Sequence, residues 1–105
     1  MSTFKILVTA AAIGFSAAVL AAEHEVGQKN KQFSTEALTI KVGDSVKFTN
    51  NDPFFHNIFS LSGIATFDLG SYPKGESRSF TFETAGTVDV ECAIHPNMRM
   101  VVTVE

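Results

Sequence analysis

Beyond residue 21, no stretch of this chain repeats its apolar residues at the 3.6-residue interval of a helix. Short runs that alternate, or are rich in β-branched and aromatic residues, recur instead between turn residues. A chain patterned in this way folds as sheets. Ala37 to Val42 (ALTIKV) and Ser45 to Thr49 (SVKFT) flank Gly43-Asp44, a pairing that predicts a hairpin. Phe54 to Leu61 (FFHNIFSL) follows the breaker Asn51-Asp52-Pro53, and His56 falls within this predicted strand. Ser62 to Glu76, punctuated by Gly63, Gly70, Pro73 and Gly75, reads as loop. Ser77 to Phe82 places Phe80 and Phe82 on one face. Thr87 to Cys92 places Val88, Val90 and Cys92 on one face, and Asp89 and Glu91 on the other. By that period Cys92 points inward. After Ile94-His95-Pro96-Asn97, Met100 to Glu105 forms the last strand. Short strands in this number predict an all-β, two-sheet sandwich with Greek-key connections.

The start of the chain bears on where such a sandwich works. Lys5 precedes an apolar run from Ile6 to Leu20 that ends in small residues, the pattern of a secretory signal peptide. The run is ~15 residues, short of the ~20 a spanning helix needs. No membrane span is expected, and the working protein is expected in the periplasm. Cleavage after Ala21 fits best, and cleavage after Ala22 is the alternative. Residues 22–105 then form a single domain of 84 residues, a size at which a core alone gives marginal stability. Lys5 is the only charge removed, so seven Lys and Arg face eleven Asp and Glu. Without a basic cluster, nucleic acid is excluded as a partner. Cys92 is the only cysteine, so no internal disulfide is possible. In an oxidising compartment a lone thiol is exposed to pairing and oxidation unless it is buried or bound.

Cys92-Ala-Ile-His95-Pro-Asn-Met98 gathers a thiolate, an imidazole and a thioether in one turn, and His56 supplies a second imidazole from another strand. Two imidazoles, one thiolate and one weak thioether are the donor set of a blue-copper electron-transfer site. The mixture suits an ion that must serve in two oxidation states, because soft sulfur favours Cu(I) and imidazole accepts both. Taken singly, each residue has an ordinary structural reading: Cys as a small buried hydrophobe, Met as core filling, His as a satisfied polar group. Jointly, in an exported all-β chain, they point to metal. Zinc would accept Cys and two His but gains little from Met98. A Cys92–His95 nucleophile pair lacks a third orienting group, so no enzyme is expected. Met98 is preferred to Met100 as the thioether, since Met100 starts the last strand.

These residues resemble the cupredoxin family. The Cys-x-x-His-Pro-x-Met spacing is the short ligand loop of amicyanins and pseudoazurins. The resemblance extends to Leu38 through Asn50 and to His56-Asn57, and spans roughly Ala37 to Val104. It implies a monomeric Greek-key sandwich holding one type 1 copper ion on His56, Cys92, His95 and Met98. It also implies that Asn57 ties the His56 strand to the Cys92 loop. A redox partner protein would dock near His95 through an apolar patch of Ile94 and Pro96 with Phe54 or Ile64. Ala93 departs from the family, where many members carry Ser or Thr. The short domain also resembles exported cupredoxins linked with copper tolerance. Electron transfer is therefore the first expectation and copper binding for tolerance or delivery the second, with a metal-free interaction sandwich as the third. Cleavage after Ala21 would leave Ala22-Glu23-His24 as the terminus, where the amine, two deprotonated amides and the imidazole can wrap a second Cu(II) in a square plane.

Overall fold

The computed structural model describes residues 20–105, and the expected signal peptide falls almost wholly outside them. Nine strands follow in order: β1 (Glu23–Lys29), β2 (Gln32–Phe33), β3 (Ala37–Ile40), β4 (Ser45–Asn50), β5 (His56–Ser62), β6 (Ala65–Tyr72), β7 (Ser77–Thr81), β8 (Gly86–Glu91) and β9 (Arg99–Val104). They form a four-stranded sheet, β2-β1-β4-β7, and a five-stranded sheet, β3-β9-β8-β5-β6. Both sheets are mixed, with β1 parallel to β4 and β3 parallel to β9. Side chains from the two sheets share one core. Val26, Val46 and Phe48 come from the first, and Ile40, Ile58, Val88, Val90, Val102 and Val104 from the second. No helix among the described residues is long and apolar enough to cross a membrane.

Three features differ from the sequence reading. Gly43-Asp44 does not close a hairpin, because β3 and β4 lie in different sheets. Gly43 takes φ 94° and donates its N–H to Phe82 O, so the chain crosses the sandwich at this point. β3 finds its partner in β9 and β4 finds β1 and β7, and non-local pairing overrides the local turn signal. The segment from Ser62 to Glu76 is not all loop. Ala65, Phe67 and Leu69 alternate as the half-buried face of β6, which pairs antiparallel with β5, and Gly70 is accommodated at φ 77°. The polar stretch from Glu23 to Phe33, for which no strand was predicted, supplies β1 and β2. Only Val26, Gln28 and Phe33 are buried there, and the strand is held by main-chain pairing rather than by an apolar face.

The inward course of Cys92 follows the period-two expectation, with Val88, Val90 and Cys92 buried in succession. Phe67 stacks on Phe80 with ring centroids 4.0 Å apart, joining β6 of one sheet to β7 of the other. Tyr72 on β6 donates its hydroxyl to Gln28 Oε1 on β1, a second bridge between the sheets.

Candidate metal centre

β5 and β8 are neighbours in the five-stranded sheet, and β8 runs through the ligand loop into its other neighbour, β9. His56 opens β5 and Cys92 follows directly on β8, so the two side chains come to the same end of the sandwich. The loop then closes on itself. Met98 donates its N–H to His95 O at 2.9 Å, and Cys92 donates its N–H to Met98 O at 3.3 Å. A β5 register shift between Asn57 and Phe59 accompanies the site. Such bulges re-aim side chains at sheet ends.

Cys92 Sγ lies 3.8 Å from His56 Nδ1 and 3.8 Å from His95 Nδ1. Among the described residues, these three form the group whose ligand atoms all lie within 4.8 Å of one another. Donors about 2.3 Å (S) and 2.0–2.1 Å (N) from a common ion stand roughly 3.8 Å apart at a 120° angle and roughly 3.6 Å at the tetrahedral angle. The observed separations allow the thiolate and the two imidazoles to share one ion, as a copper site with a distant thioether requires. His56 and Cys92 are buried, and His95 is half-buried. Met98 is buried at the end of the same loop, its main chain bonded to both Cys92 and His95. Met100, on β9, is buried in the core beside it in sequence.

Asn57 reaches across the site. Its N–H donates to Cys92 Sγ at 3.3 Å, its Oδ1 accepts from Ala93 N–H at 3.1 Å, and its Nδ2 donates to Asp68 Oδ1 at 3.1 Å. A hydrogen bond to the thiolate and a tie to the following residue fix the sulfur before metal arrives.

One residue of the centre escaped the sequence reading. Asp52 Oδ2 lies 2.8 Å from His56 Nε2, and both side chains are almost fully buried. The same carboxylate accepts the N–H groups of Asn30 at 2.8 Å and Lys31 at 3.1 Å. Those two residues have φ 56° and 57° and form the tight turn between β1 and β2. Burial pushes the Asp52 carboxyl up, but the His56 imidazole and the two N–H groups outweigh it and hold it below the ordinary carboxylate range. An ionised Asp52 keeps the proton on Nε2 and leaves Nδ1 of His56 free to ligate. In the sequence, Asn51-Asp52-Pro53 gives only a turn signal. The four-residue spacing to His56 was the one available hint.

His95 is held below its ordinary pKa by burial first, then by His56 and Lys31, with Asp52 opposing. The shift favours the neutral imidazole, the form a ligand must take. Phe54 packs against both imidazoles, with ring centroids 5.4 Å from His56 and 5.2 Å from His95. Lys31 lies over the same ring at 5.7 Å. Beside His95 in the loop, Ile94 is 47% exposed and Pro96 is exposed. Ile64 does not belong to this patch. It lies in the β5–β6 turn, beyond the opposite end of β5 from His56, where a Cβ at Gly86 would come 2.6 Å from its Cδ1.

At the other end of β1, Ala22 N lies 2.9 Å from Asp44 Oδ1, and His24 Nε2 lies 3.0 Å from Asp44 Oδ2. Glu23 and His24 pair with Ser45 and Val46 of β4.

The family model for copper binding proteins of the plastocyanin/azurin family matches residues 20–105. Amicyanin from Paracoccus denitrificans is 36% identical over 77 residues, covering 70% of this chain and 59% of the relative. Amicyanin from Paracoccus versutus is 34% identical over 83 residues, covering 76% and 63%. The chain thus spans about three fifths of the length of these two relatives. A putative pseudoazurin from Rhizobium leguminosarum is 31% identical over 109 residues, covering 95% of this chain and 70% of the relative. Among solved structures, a reduced amicyanin variant superposes with a TM-score of 0.74 at 34% identity, over 85% of this chain and 88% of that one. A copper-containing nitrite reductase from Thermus scotoductus gives 0.75 at 25% identity, over 87% of this chain but 24% of the enzyme.

Proposed function

Because the chain belongs to the plastocyanin/azurin family of copper-binding proteins, we propose that it carries single electrons between redox proteins on one copper ion held by His56, Cys92, His95 and Met98. The observation that carries this reading is the equal 3.8 Å separation of the Cys92 sulfur from the two imidazole nitrogens. Copper bound there supplies a one-electron couple between Cu(II) and Cu(I). The protein's own work is to keep the donors in one arrangement for both states. Asp52 orients His56, Asn57 orients Cys92, and the Cys92–Met98 main-chain bonds lock the loop. His95, half-buried among Ile94, Pro96 and Phe54, is the edge through which a docked partner would exchange the electron. No substrate is transformed in this reading.

The apolar run ahead of Ala22 supports export and removal of residues 1 to 21, which would place the working protein in the periplasm. Copper tolerance or delivery is the second reading. It is favoured by the short domain and by the polar cluster at Ala22, His24 and Asp44.

Voltammetry of the copper-loaded protein tests the first reading. A reversible one-electron wave is expected, displaced in Met98→Ala because the axial donor tunes the couple. An unchanged wave and spectrum in that variant would remove Met98 from the ligand set. Growth of a deletion strain separates the two roles. Loss of an electron-transfer pathway at ordinary copper supports the carrier, and sensitivity to added copper with respiration intact supports tolerance.

A further inference from the structure

The Ala22–His24–Asp44 cluster lies at the opposite end of β4 from the copper centre, roughly 20 Å away by strand length. It opens on a depression of about 370 Å³ lined by Leu20, which processing would remove, and by residues that processing would keep, among them Ala22, His24, Lys41, Asp44 and Glu105. Asp44 is fixed there by Lys41 N–H, which donates to Oδ2 at 3.1 Å. Ala22 is fixed as well, since its carbonyl accepts Ser45 N–H at 3.0 Å. A buried carboxylate, a partly exposed imidazole and a main-chain nitrogen therefore converge with their positions set by the fold.

We propose that removal of residues 1 to 21 turns this cluster into a second site, in which the α-amine of Ala22, the imidazole of His24 and the carboxylate of Asp44 bind Cu(II). The inference rests on the export and processing proposed above. While Ala22 N is a peptide nitrogen, its lone pair is delocalised into the amide and it ligates only by first losing its amide proton. Cleavage after Ala21 makes it an amine in the same place, and metal binding releases its proton to solvent. Ala22 N is 2.9 Å from one carboxylate oxygen and His24 Nε2 is 3.0 Å from the other.

Nitrogen and oxygen donors without sulfur select Cu(II) over Cu(I), and copper is the tightest-bound divalent ion of the first row at such a set. Hydrogen bonds hold Asp44 far below its usual range, at about 2, first that of Ala22 N–H and next that of His24, so the carboxylate is an anion at neutral pH before copper arrives. Lys41 opposes a cation in the depression and Glu105 favours one. The site differs from a square plane of amine, two amides and imidazole, because the main chain of Glu23 and His24 stays paired with β4 while Asp44 supplies the further donor.

The test begins with the protein as the cell exports it. Mass spectrometry should give a chain starting at Ala22. Cu(II) titration followed by absorption and electron paramagnetic resonance should then show two equivalents bound, one with a thiolate band and one without. The second equivalent should be lost in His24→Gln and in a chain retaining Ala21, and weakened at least tenfold in Asp44→Asn. The thiolate band should persist in every variant and report the fold. A chain beginning at Glu23 overturns the inference together with the cleavage after Ala21. A chain beginning at Ala22 that binds one equivalent overturns the second site alone. Undiminished binding in Asp44→Asn overturns the carboxylate's part and favours the amide-wrapped plane.

Discussion

Asp52 joins two parts of the molecule that are remote in the chain. Its carboxylate holds the β1–β2 turn through Asn30 and Lys31, and the oxygen that accepts from Lys31 also meets the outer nitrogen of His56. Removing its charge while keeping its shape should therefore affect the metal more than the fold. In Asp52→Asn, copper affinity is expected to fall roughly 10- to 100-fold, the usual cost of losing a partner behind a ligating His. The reduction potential should rise, because a nearby negative charge favours the more highly charged Cu(II). Competition with a copper chelator and voltammetry measure both, and unchanged values would remove Asp52 from the centre. The contrast with Cys92 shows which parts of the site are legible in sequence. Cys92 follows Val88 and Val90 at period two, so its inward course can be read directly, and the loop to His95 and Met98 is local. Asp52 acts through side-chain geometry and through a turn more than twenty residues upstream, which no spacing rule reports.

At the scale of strands, the readable elements were those with an apolar face. β7 and β8 alternate, and the sheet period predicts them. β1 does not, because it is held by its parallel ladder with β4 and buries Gln28 as well as Val26. The Gly43-Asp44 turn has the composition of a hairpin and performs a crossing between sheets, a choice made by pairing with distant β9 and β1. Asp44 closes that crossing by accepting N–H groups from Lys41 and Ala22 and by pairing with His24. Its carboxyl is lowered from 3.8 to about 2. A group whose folded pKa is depressed contributes stability that is fully present above its unfolded value and is lost as pH falls through the folded one. Loss of stability attributable to Asp44 should therefore begin near pH 5 and be complete only near pH 1. Urea unfolding of the wild type and of Asp44→Asn along that range measures it, and the difference between the two should shrink toward acid. A difference that stays constant would show that the charge of Asp44 has no part in the crossing.

As a whole molecule, this is a small sandwich whose single cysteine rules out an internal cross-link. With ligands from β5 and from the β8–β9 loop, a bound metal would add a tie between them beyond the β5–β8 pairing and the Asn57 hydrogen bonds. Copper present at ~100 times its dissociation constant adds about 2.7 kcal/mol if it binds only the folded chain. For a domain of this size that raises the melting temperature by roughly 10–20 °C. Calorimetry with and without copper should show the rise, and coincident curves at saturating metal would count against a site formed by the fold. The most direct test of the central claim is a Cu(II) titration of the metal-free protein followed by visible absorption. An intense thiolate-to-copper band should grow to saturation at one equivalent, disappear on addition of one electron per chain and return on reoxidation. A protein that takes up copper without that band, or that keeps it in Cys92→Ser, would contradict the assignment of Cys92, His56 and His95 as an electron-carrying copper centre.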